Sequence, residues 1–389
     1  MKRMLLAFMS IVLSLSAAVA GDLEAGVAAF DAKNYDKALP LLQPEADRGV
    51  AKAQGLIARM YANGWGIAKD RSAALKWAKL AADQNDAAGQ GVVGFIYFNG
   101  YGVTKDYQEA LKWYRLAAAQ GNAVAQESIG FIYSDGQGVQ KDAVEAIKWW
   151  RLAAAQGNPA SQRAIGHSYQ KGIGVSKDNQ EALNWYRLAI AQGDATAQNN
   201  LGTMYWGGDG VRRDPSEAIR FYRLAAGKGN ANAQNNLGGI YLNGWSVNKD
   251  VVEAYKWYKL SAAQGNAIGQ SNIGVIHELG LGVHQDFEEA ARWYLLAEAQ
   301  GNGFAKSKLQ IEIIKVAADK VIANKSQYAQ PLPVIQTSAT QSPTVQVLVA
   351  VSPTASTEDR LNRLKKVYEQ QLINEREYDD QRKKILESL

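Results

Sequence analysis

The sequence contains no cysteine, which excludes a disulfide framework, a thiolate metal site and a cysteine nucleophile. It has only three histidines, His167, His277 and His284, and none belongs to a His-Glu-x-x-His metal motif. P-loop and Gly-x-Ser-x-Gly motifs are also missing. Lysine and arginine form no basic run that would suggest nucleic-acid binding. We therefore expect no catalytic residue, no metal site, no cofactor and no nucleic-acid partner.

Long apolar runs are also missing beyond the N-terminus, where no stretch reaches the length of a transmembrane helix. At the N-terminus, Lys2 and Arg3 precede an apolar run from Met4 to Val12, and Ala18-Val19-Ala20 fits a small-residue cleavage site. This pattern predicts a signal peptide over residues 1–20, cleaved after Ala20. The mature chain would then be periplasmic or secreted, without a transmembrane segment. An uncleaved N-terminal anchor is the alternative.

The chain is instead dominated by repetition. The segment KWYRLAAAQGN, residues 112–122, recurs in related form at a constant step of 36 residues, without insertion or deletion. Its aromatic position is occupied in turn by Trp77, Trp113, Trp149, Trp185, Phe221, Trp257 and Trp293. A fixed period of this length is typical of stacked-repeat proteins, in which each unit buries its apolar faces on its neighbours. We predict seven 36-residue repeats over residues 51–302.

Each repeat is expected to fold as two helices. The first helix, for example from Ala123 to about Ser134, places Gln126, Gly130 and Tyr133 on one face. A glycine within a helix costs about 1 kcal/mol, which predicts a close approach of the neighbouring helix at that point. A Gly-x-Gly-Val loop follows, and its first glycine is expected to end the helix in a left-handed conformation.

The second helix is predicted to begin at a repeated aspartate with glutamate three residues later, as in Asp106 and Glu109. This is the spacing of a capping box, in which both side chains bind backbone N–H groups, worth about 1 kcal/mol per helix. In one repeat, Ser246 replaces the second glycine of the loop. That turn is therefore expected to be strained or differently shaped.

The segments that flank the repeats differ from them in composition. Residues 21–50 predict an atypical N-terminal cap of two short helices, and residues 303–325 predict one C-terminal capping helix. Residues 326–357 contain four of the chain's eight prolines and no charged residue, which predicts a linker. Residues 358–389 predict a helical hairpin that is too small to be stable alone. We expect this hairpin to self-associate or to dock on another component.

The repeat pattern A-Q-x-x-[IL]-G-x-x-Y-x-x-G-x-G-V resembles the Sel-one-like repeat (SLR) family of tetratricopeptide-like helical repeats. The resemblance covers residues 51–302 and implies an all-α fold, an αα-hairpin solenoid wound as a right-handed superhelix with the first helices on its concave side. It also implies a scaffold or adaptor role, in bacteria often at the cell envelope. The family members that bind or hydrolyse β-lactams are rich in cysteine, which this chain lacks.

The C-terminal segment LKKVYEQQLINEREYDDQRKKIL resembles the short module called SHOCT. Gln371 stands where that module usually has glycine, and Asn374 stands where it usually has threonine. The resemblance implies oligomerisation or attachment through residues 358–389, without catalysis.

Two positions of the first helix vary between repeats and lie on a face away from the Gly/Tyr packing stripe; we call them the variable face. Five residues after the shared glutamine they are Arg59, Phe95, Phe131, His167, Thr203, Gly239 and Val275. Eight residues after it they are Ala62, Phe98, Ser134, Gln170, Trp206, Leu242 and Glu278. The candidate partner-binding residues are Phe95, Phe98, Phe131, His167, Gln170 and Trp206. The alternative is that the phenylalanines only pack against neighbouring first helices.

These patterns predict a non-enzymatic, exported scaffold that binds partner proteins along the concave face of its solenoid in the bacterial cell envelope. The alternative is a cell-wall or exopolysaccharide accessory protein that binds glycan or acts on it, as a peptidoglycan-linked enzyme would. Sugar stacking is favoured only if Trp65, Trp206 and Trp245 are exposed.

Overall fold

The structure is a computed structural model that describes residues 22–323 together with Lys365, Arg382 and Lys383. The predicted signal peptide and linker lie outside the described residues, as does the C-terminal hairpin apart from these three. The chain divides into two compact units, the N-terminal unit (residues 1–185) and the C-terminal unit (residues 186–389). Every regular element among the described residues is a helix. None of these helices combines the length and the apolar character needed to cross a bilayer.

The N-terminal unit begins with two helices and continues as helical hairpins, one per repeat. Its helices are α1 (residues 22–31), α2 (Tyr35–Asp47), α3 (Ala51–Asn63), α4 (Arg71–Asp83), α5 (Ala87–Asn99), α6 (Tyr107–Ala119), α7 (Ala123–Asp135), α8 (Ala143–Ala155), α9 (Pro159–Lys171) and the start of α10 (Asn179–Ala191). The odd-numbered helices from α3 onward are the first helices of the repeats, and the even-numbered ones from α4 onward are the second helices.

The C-terminal unit continues the same alternation. After the rest of α10 it contains α11 (Ala195–Gly207), α12 (Pro215–Gly227), α13 (Ala231–Asn243), α14 (Val251–Ala263), α15 (Ala267–Leu279), α16 (Phe287–Glu298), α17 (Gly303–Lys308) and α18 (Glu312–Ala323). The predicted fold class, an all-α array of αα-hairpins, is confirmed.

The second helices begin at the predicted aspartates, but the capping box is only half formed. Asp106 accepts hydrogen bonds from the backbone N–H groups of Gln108 and Glu109, both at 2.9 Å. The other half of the prediction is wrong, because the Asp106 N–H donates to the Tyr97 carbonyl at 3.0 Å. The Glu109 carboxylate instead accepts from the indole Nε1 of Trp113 at 3.0 Å. In the same way, Glu145, Glu181 and Glu289 each accept from the indole of the tryptophan four residues later.

The loop glycines adopt the predicted left-handed conformation. Gly100 ends α5 with a φ of 68°, and Gly102 follows with a φ of 73°. Ser246 has a φ of 59°, so its turn keeps the left-handed backbone although the glycine is missing. A residue with a side chain costs about 1–2 kcal/mol in this conformation. The turn at Ser246 is therefore strained, as expected, while its left-handed backbone is unchanged.

A glycine of the first helix packs directly against an aromatic ring of the second. A Cβ atom on Gly94 would stand 2.8 Å from Cδ1 of Tyr114, and one on Gly238 would stand 2.6 Å from the Tyr258 ring. Both distances are shorter than a real Cβ contact, so the predicted close approach of the two helices is confirmed. The two tyrosines are each only 3% exposed. The absent side chain is what allows each ring to be buried.

Buried glutamines join one hairpin to the next. Gln126 is 5% exposed, and its Nε2 donates to the carbonyl of Ala118 in the preceding repeat at 3.3 Å. Its Oε1 accepts from Nε2 of Gln156, at the end of its own hairpin, at 2.8 Å. The same side-chain bond joins Gln120 to Gln90 at 2.8 Å and Gln264 to Gln234 at 2.7 Å. A buried amide that is satisfied on both sides fixes the register of stacking.

The C-terminal end differs from the single capping helix expected over residues 303–325, because two helices, α17 and α18, form there. α18 packs on α16, where Ile314 and Ala318 share a buried cluster with Tyr294. Ile313 and Val316 of α18 are 52% and 48% exposed. The break between the two helices lets α18 present its other residues to α16.

Gly94→Ala tests the contact between glycine and ring, with Gly91→Ala in the same helix as its matched control. A Cβ on Gly91 would have only Nδ2 of Asn122 within 4 Å, at 3.8 Å. Alanine at position 94 must displace the Tyr114 ring, so we expect the free energy of unfolding to fall by about 1–3 kcal/mol. Alanine at position 91 is expected to be neutral or stabilising by up to about 1 kcal/mol, because it favours the helix.

Urea denaturation followed by helical circular dichroism measures both variants. Equal midpoints for Gly94→Ala and Gly91→Ala would show that the ring contact does not limit the packing of the hairpin.

Candidate binding surface

The variable face is positioned by the contact between glycine and ring. Because Gly94 of α5 lies against the second helix, the next residue, Phe95, is turned by about 100° around the helix. Phe95 meets Tyr101 edge-on with ring centroids 5.6 Å apart. Phe98, one turn later, meets Tyr107 edge-on at 5.3 Å. Both phenylalanines are half-buried against the core of α6 and α7, so each combines internal packing with a partly open surface.

The next predicted residues become more polar along the unit. Phe131 of α7 is half-buried, edge-on to Trp150 at 5.2 Å. His167 of α9 is largely exposed, and Gln170 is half-buried. Partial desolvation of the imidazole lowers the pKa of His167, and the nearby cations Lys171 and Arg163 lower it further. The surroundings at this end of the variable face therefore disfavour the charged imidazole.

Trp206, the last predicted residue, belongs to α11 in the C-terminal unit. It is half-buried, with its ring 5.8 Å from that of Trp245 and the two planes at 48°. Trp245 is 52% exposed. Trp65 is partly buried and stacks on Tyr35 at 5.0 Å. Only one of the three tryptophans is mainly exposed, so the condition for favouring sugar stacking is not met.

The predicted residues do not all line one site. In the N-terminal unit, the structure places one of them, Phe95, in the wall of a cavity of about 260 Å³. Helices α3, α5, α6 and α7 and the loop after α3 contribute to this cavity. The lining residues are Arg59, Ala62, Asn63, Trp65, Ala88, Gly91, Val92, Phe95, Tyr114, Asn122, Val124 and Ser128.

Small residues in the first two repeats leave this space open. Ala62 takes the position that Phe98 holds in the next repeat. Gly91 takes the position that Glu127 holds in the following repeat, and nothing comes closer than 3.8 Å to the place of its missing Cβ. The cavity therefore results from substitutions in a repeated framework, and the framework itself is unchanged.

Three polar side chains of the lining are engaged by neighbouring backbone groups. They are Asn63, whose Nδ2 donates to the Arg59 carbonyl at 2.8 Å, Asn122, whose Oδ1 accepts from the Ala125 N–H at 3.0 Å, and Ser128, whose Oγ donates to the Val124 carbonyl at 2.8 Å. These bonds cap or cross single helix turns, so they hold the side chains in fixed orientations.

Arg59 is the only charged residue among the described residues that line the cavity. Its guanidinium lies over the rings of Phe30 and Trp65, 5.0 and 5.8 Å from their centroids. Burial lowers the pKa of Arg59, partly offset by Tyr35 and Asp31. Among the described residues no carboxylate lies within ion-pair distance of this guanidinium. Arginine nevertheless stays protonated near neutral pH, so the cavity holds a cation that is partly removed from water.

The described residues that line the cavity include no histidine and no carboxylate. Across the part of the chain that the structure describes, no three His, Cys, Asp or Glu side chains come together in a way that could hold a metal ion. Aromatic walls can enclose an apolar group, and the guanidinium can pair with an anion.

Part of this cavity has a signal in the sequence. Arg59 and Ala62 occupy the two variable positions of the first repeat, which marks them as candidates. A cavity, however, depends on missing side chains, whereas the aromatic residues that we predicted mark filled positions. Nothing in the sequence marks Asn122 and Ser128 as cavity residues, because the sequence predicts a helix cap at the first and an ordinary surface position at the second.

Comparison with protein-family models matches the Sel1 repeat to seven consecutive segments, residues 51–86, 87–122, 123–158, 159–194, 195–230, 231–266 and 267–302. Many solved structures are similar, among them the following two. The protective antigen c5321 of uropathogenic Escherichia coli, which displays an SLR fold, is 26% identical with a TM-score of 0.55, over 97% of this chain and 89% of that one. A Sel1 repeat protein from Oxalobacter formigenes is 37% identical with a TM-score of 0.55, over 62% of this chain and 99% of that one. A search of curated proteins found no match.

The lowered pKa of His167 gives a pH dependence that can be measured. Because the pKa is lower in the folded state, the unfolded state binds more protons as the pH falls, and stability is lost on acidification. We expect the His167 imidazole to titrate below about 6.5 in NMR spectra. When the pH is lowered from about 7 to about 5, the free energy of unfolding should fall less for His167→Gln than for the parent. A His167 signal that titrates above the usual histidine range would contradict the desolvation.

Proposed function

The chain belongs to the Sel1 repeat family, and from this premise we propose that it is a non-enzymatic scaffold that binds a partner protein through the cavity and the variable face of its N-terminal unit. Proteins built from Sel1 repeats generally mediate protein–protein interactions. The observation that carries the proposal is the cavity itself, with aromatic walls and one arginine that has no ion-pair partner among the described residues.

The size of the cavity indicates what it can hold. Pockets for drug-sized ligands typically measure about 300–1,000 Å³, and this one measures about 260 Å³. That space suits a single large side chain of a partner more than a whole cofactor. A buried aromatic or aliphatic anchor, surrounded by weaker contacts that exclude water, is the usual centre of a protein interface. Phe95, Phe98 and Phe131 supply such surrounding contacts.

The charge of the cavity indicates what lies next to that side chain. The Arg59 guanidinium has already lost part of its hydration, so pairing it with a carboxylate adds attraction at a reduced desolvation cost. Its planar fork also matches a carboxylate in two parallel hydrogen bonds. We therefore propose a partner segment that presents an apolar side chain beside an acidic group.

Residues 1–20 support a further part of the proposal, export to the periplasm or to the outside of the cell, and residues 358–389 support self-association or tethering. The first segment lies outside the described residues, as does the second apart from Lys365, Arg382 and Lys383. Fractionation of cells that express the chain with and without residues 1–20 tests export, and equal amounts of both forms in the cytoplasm would oppose it.

An affinity capture experiment from an envelope extract tests the partner site. The mature chain, beginning at Gly21, serves as bait beside Phe95→Ala/Phe131→Ala, Arg59→Ala and Gly91→Glu. Gly91→Glu copies the residue of the next repeat, so it fills the cavity and neutralises Arg59 without a backbone clash. We expect each variant to retain at least about tenfold less partner, as loss of a hot spot does.

Leu116→Ala/Leu152→Ala is the matched control, since these leucines are 49% and 51% exposed on the second helices α6 and α8. This control should capture the partner as the parent does, and all variants should keep native helical circular dichroism. Capture that survives all three cavity variants, or that is lost only when residues 326–389 are removed, would place the function elsewhere.

A further inference from the structure

A row of asparagines runs across the first helices of the last three repeats. It occupies the two positions that directly follow the shared glutamine, and we call it the amide strip: Asn199 and Asn200 on α11, Asn235 and Asn236 on α13, and Asn272 on α15. All five residues lie in the C-terminal unit. Asn199 is buried and the other four are half-buried.

Hydrogen bonds between helices fix the orientation of these amides. Nδ2 of Asn272 donates to Oδ1 of Asn235 at 2.8 Å, from α15 to α13. Nδ2 of Asn236 donates to Oδ1 of Asn199 at 3.1 Å, from α13 to α11. Asn199 in turn donates to Asn200 at 3.4 Å. The amides are thus held in place before any ligand arrives, which reduces the entropy lost on binding.

Stacking of the repeats does not require these amides. The same two positions in the first four repeats are Gly55 and Leu56, Gly91 and Val92, Glu127 and Ser128, and Arg163 and Ala164. Those repeats form the same hairpins without an asparagine at either position. The amide strip is therefore a property of the C-terminal unit that the fold alone does not explain.

Several hydrogen-bonding groups of the strip are left open. An asparagine amide has two N–H donors and an oxygen that can accept twice. Among the described residues, Nδ2 of Asn235 has no acceptor, and Oδ1 of Asn236 and Oδ1 of Asn272 have no donor. One turn along α13, the hydroxyl of Tyr258 lies 3.5 Å from the place of a Cβ on Gly239, also without a hydrogen-bond partner among the described residues.

We propose that the amide strip binds an extended polypeptide segment of a partner through that segment's main chain. The strip carries no charged side chain and offers both donors and acceptors, which is also what a peptide backbone presents along its edge. Pairing between a side-chain amide and a peptide group needs no particular side chain on the ligand, so recognition is broad in sequence. This inference rests on the proposed partner-binding function and names the form of ligand that the C-terminal unit takes.

A neutral glycan could also supply donors and acceptors. The aromatic residues nearby do not favour it, because the Trp206 and Trp245 rings are tilted by 48° and Trp206 is half-buried. Two tilted rings do not form one flat surface for a sugar face.

Fluorescence anisotropy with a pool of labelled random-sequence peptides tests the proposal on the full mature chain. Each peptide has about 12 residues, enough to cross three helices packed about 10 Å apart. We expect Asn235→Ala/Asn272→Ala to weaken binding of the pool at least about tenfold, as loss of two or three hydrogen bonds does. The matched control is Asn248→Ala, an exposed asparagine in the loop after α13, which should bind as the parent does.

Two further experiments distinguish a loss of main-chain contacts from a loss of protein structure. Asn235→Asp keeps the oxygen that accepts from Asn272 but removes the open Nδ2 donors, so it should also weaken binding while the fold is kept. A pool that is N-methylated at alternate residues lacks every second main-chain N–H donor and should bind the parent at least about tenfold more weakly. Native circular dichroism of each variant confirms that the helices are intact.

The proposal is overturned if the parent binds neither pool, if N-methylation makes no difference, or if the alanine variant binds as the parent does. Asparagine-dependent binding of a neutral chitin oligosaccharide, without binding of the peptide pool, would overturn it in favour of a glycan. Failure here is distinct from failure of the proposed function, because the cavity variants Arg59→Ala and Gly91→Glu lie in the other unit and are tested by partner capture.

Discussion

The contact between a helical glycine and an aromatic ring is the constraint on which the hairpins after the first repeat depend; the first repeat has Ala58 and Ala78 at the two positions. The pairs Gly94 with Tyr114 and Gly238 with Tyr258 show why, since any side chain on the glycine would meet the ring at less than 3 Å. The helices approach closely only because the glycine has no Cβ. That approach buries the ring and turns the residues beside the glycine toward the variable face, where they are free to differ from repeat to repeat.

Because the positions that pack the hairpin are separate from the positions that vary, one repeated framework can carry two kinds of surface. In the N-terminal unit, small residues such as Ala62 and Gly91 open a cavity beside the Arg59 guanidinium. In the C-terminal unit, the position that corresponds to Gly91 carries Asn199 and Asn235, whose amides bond to asparagines on neighbouring helices. The first surface suits an apolar anchor with an acidic neighbour, and the second suits a polypeptide main chain.

Much of the fold could be predicted from the sequence, because a period of 36 residues repeats each local signal seven times. The helices, the aspartate caps and the close approach at Gly94 follow from that pattern. The role of Glu109 could not be predicted. It depends on a hydrogen bond that the Asp106 N–H donates to the Tyr97 carbonyl of another helix, so that this N–H is not available to Glu109. The cavity was missed for a similar reason, because it is defined by side chains that are absent at Ala62 and Gly91.

Site-specific photo-crosslinking in cells tests most directly whether the partner lies on the variable face. The photoreactive amino acid p-benzoylphenylalanine would replace Phe95 in the cavity wall and, in a separate variant, Leu116 on the second helix of the same repeat. The account predicts that position 95 crosslinks to a defined partner protein and position 116 does not. A partner that crosslinks from position 116 but not from position 95 would contradict it.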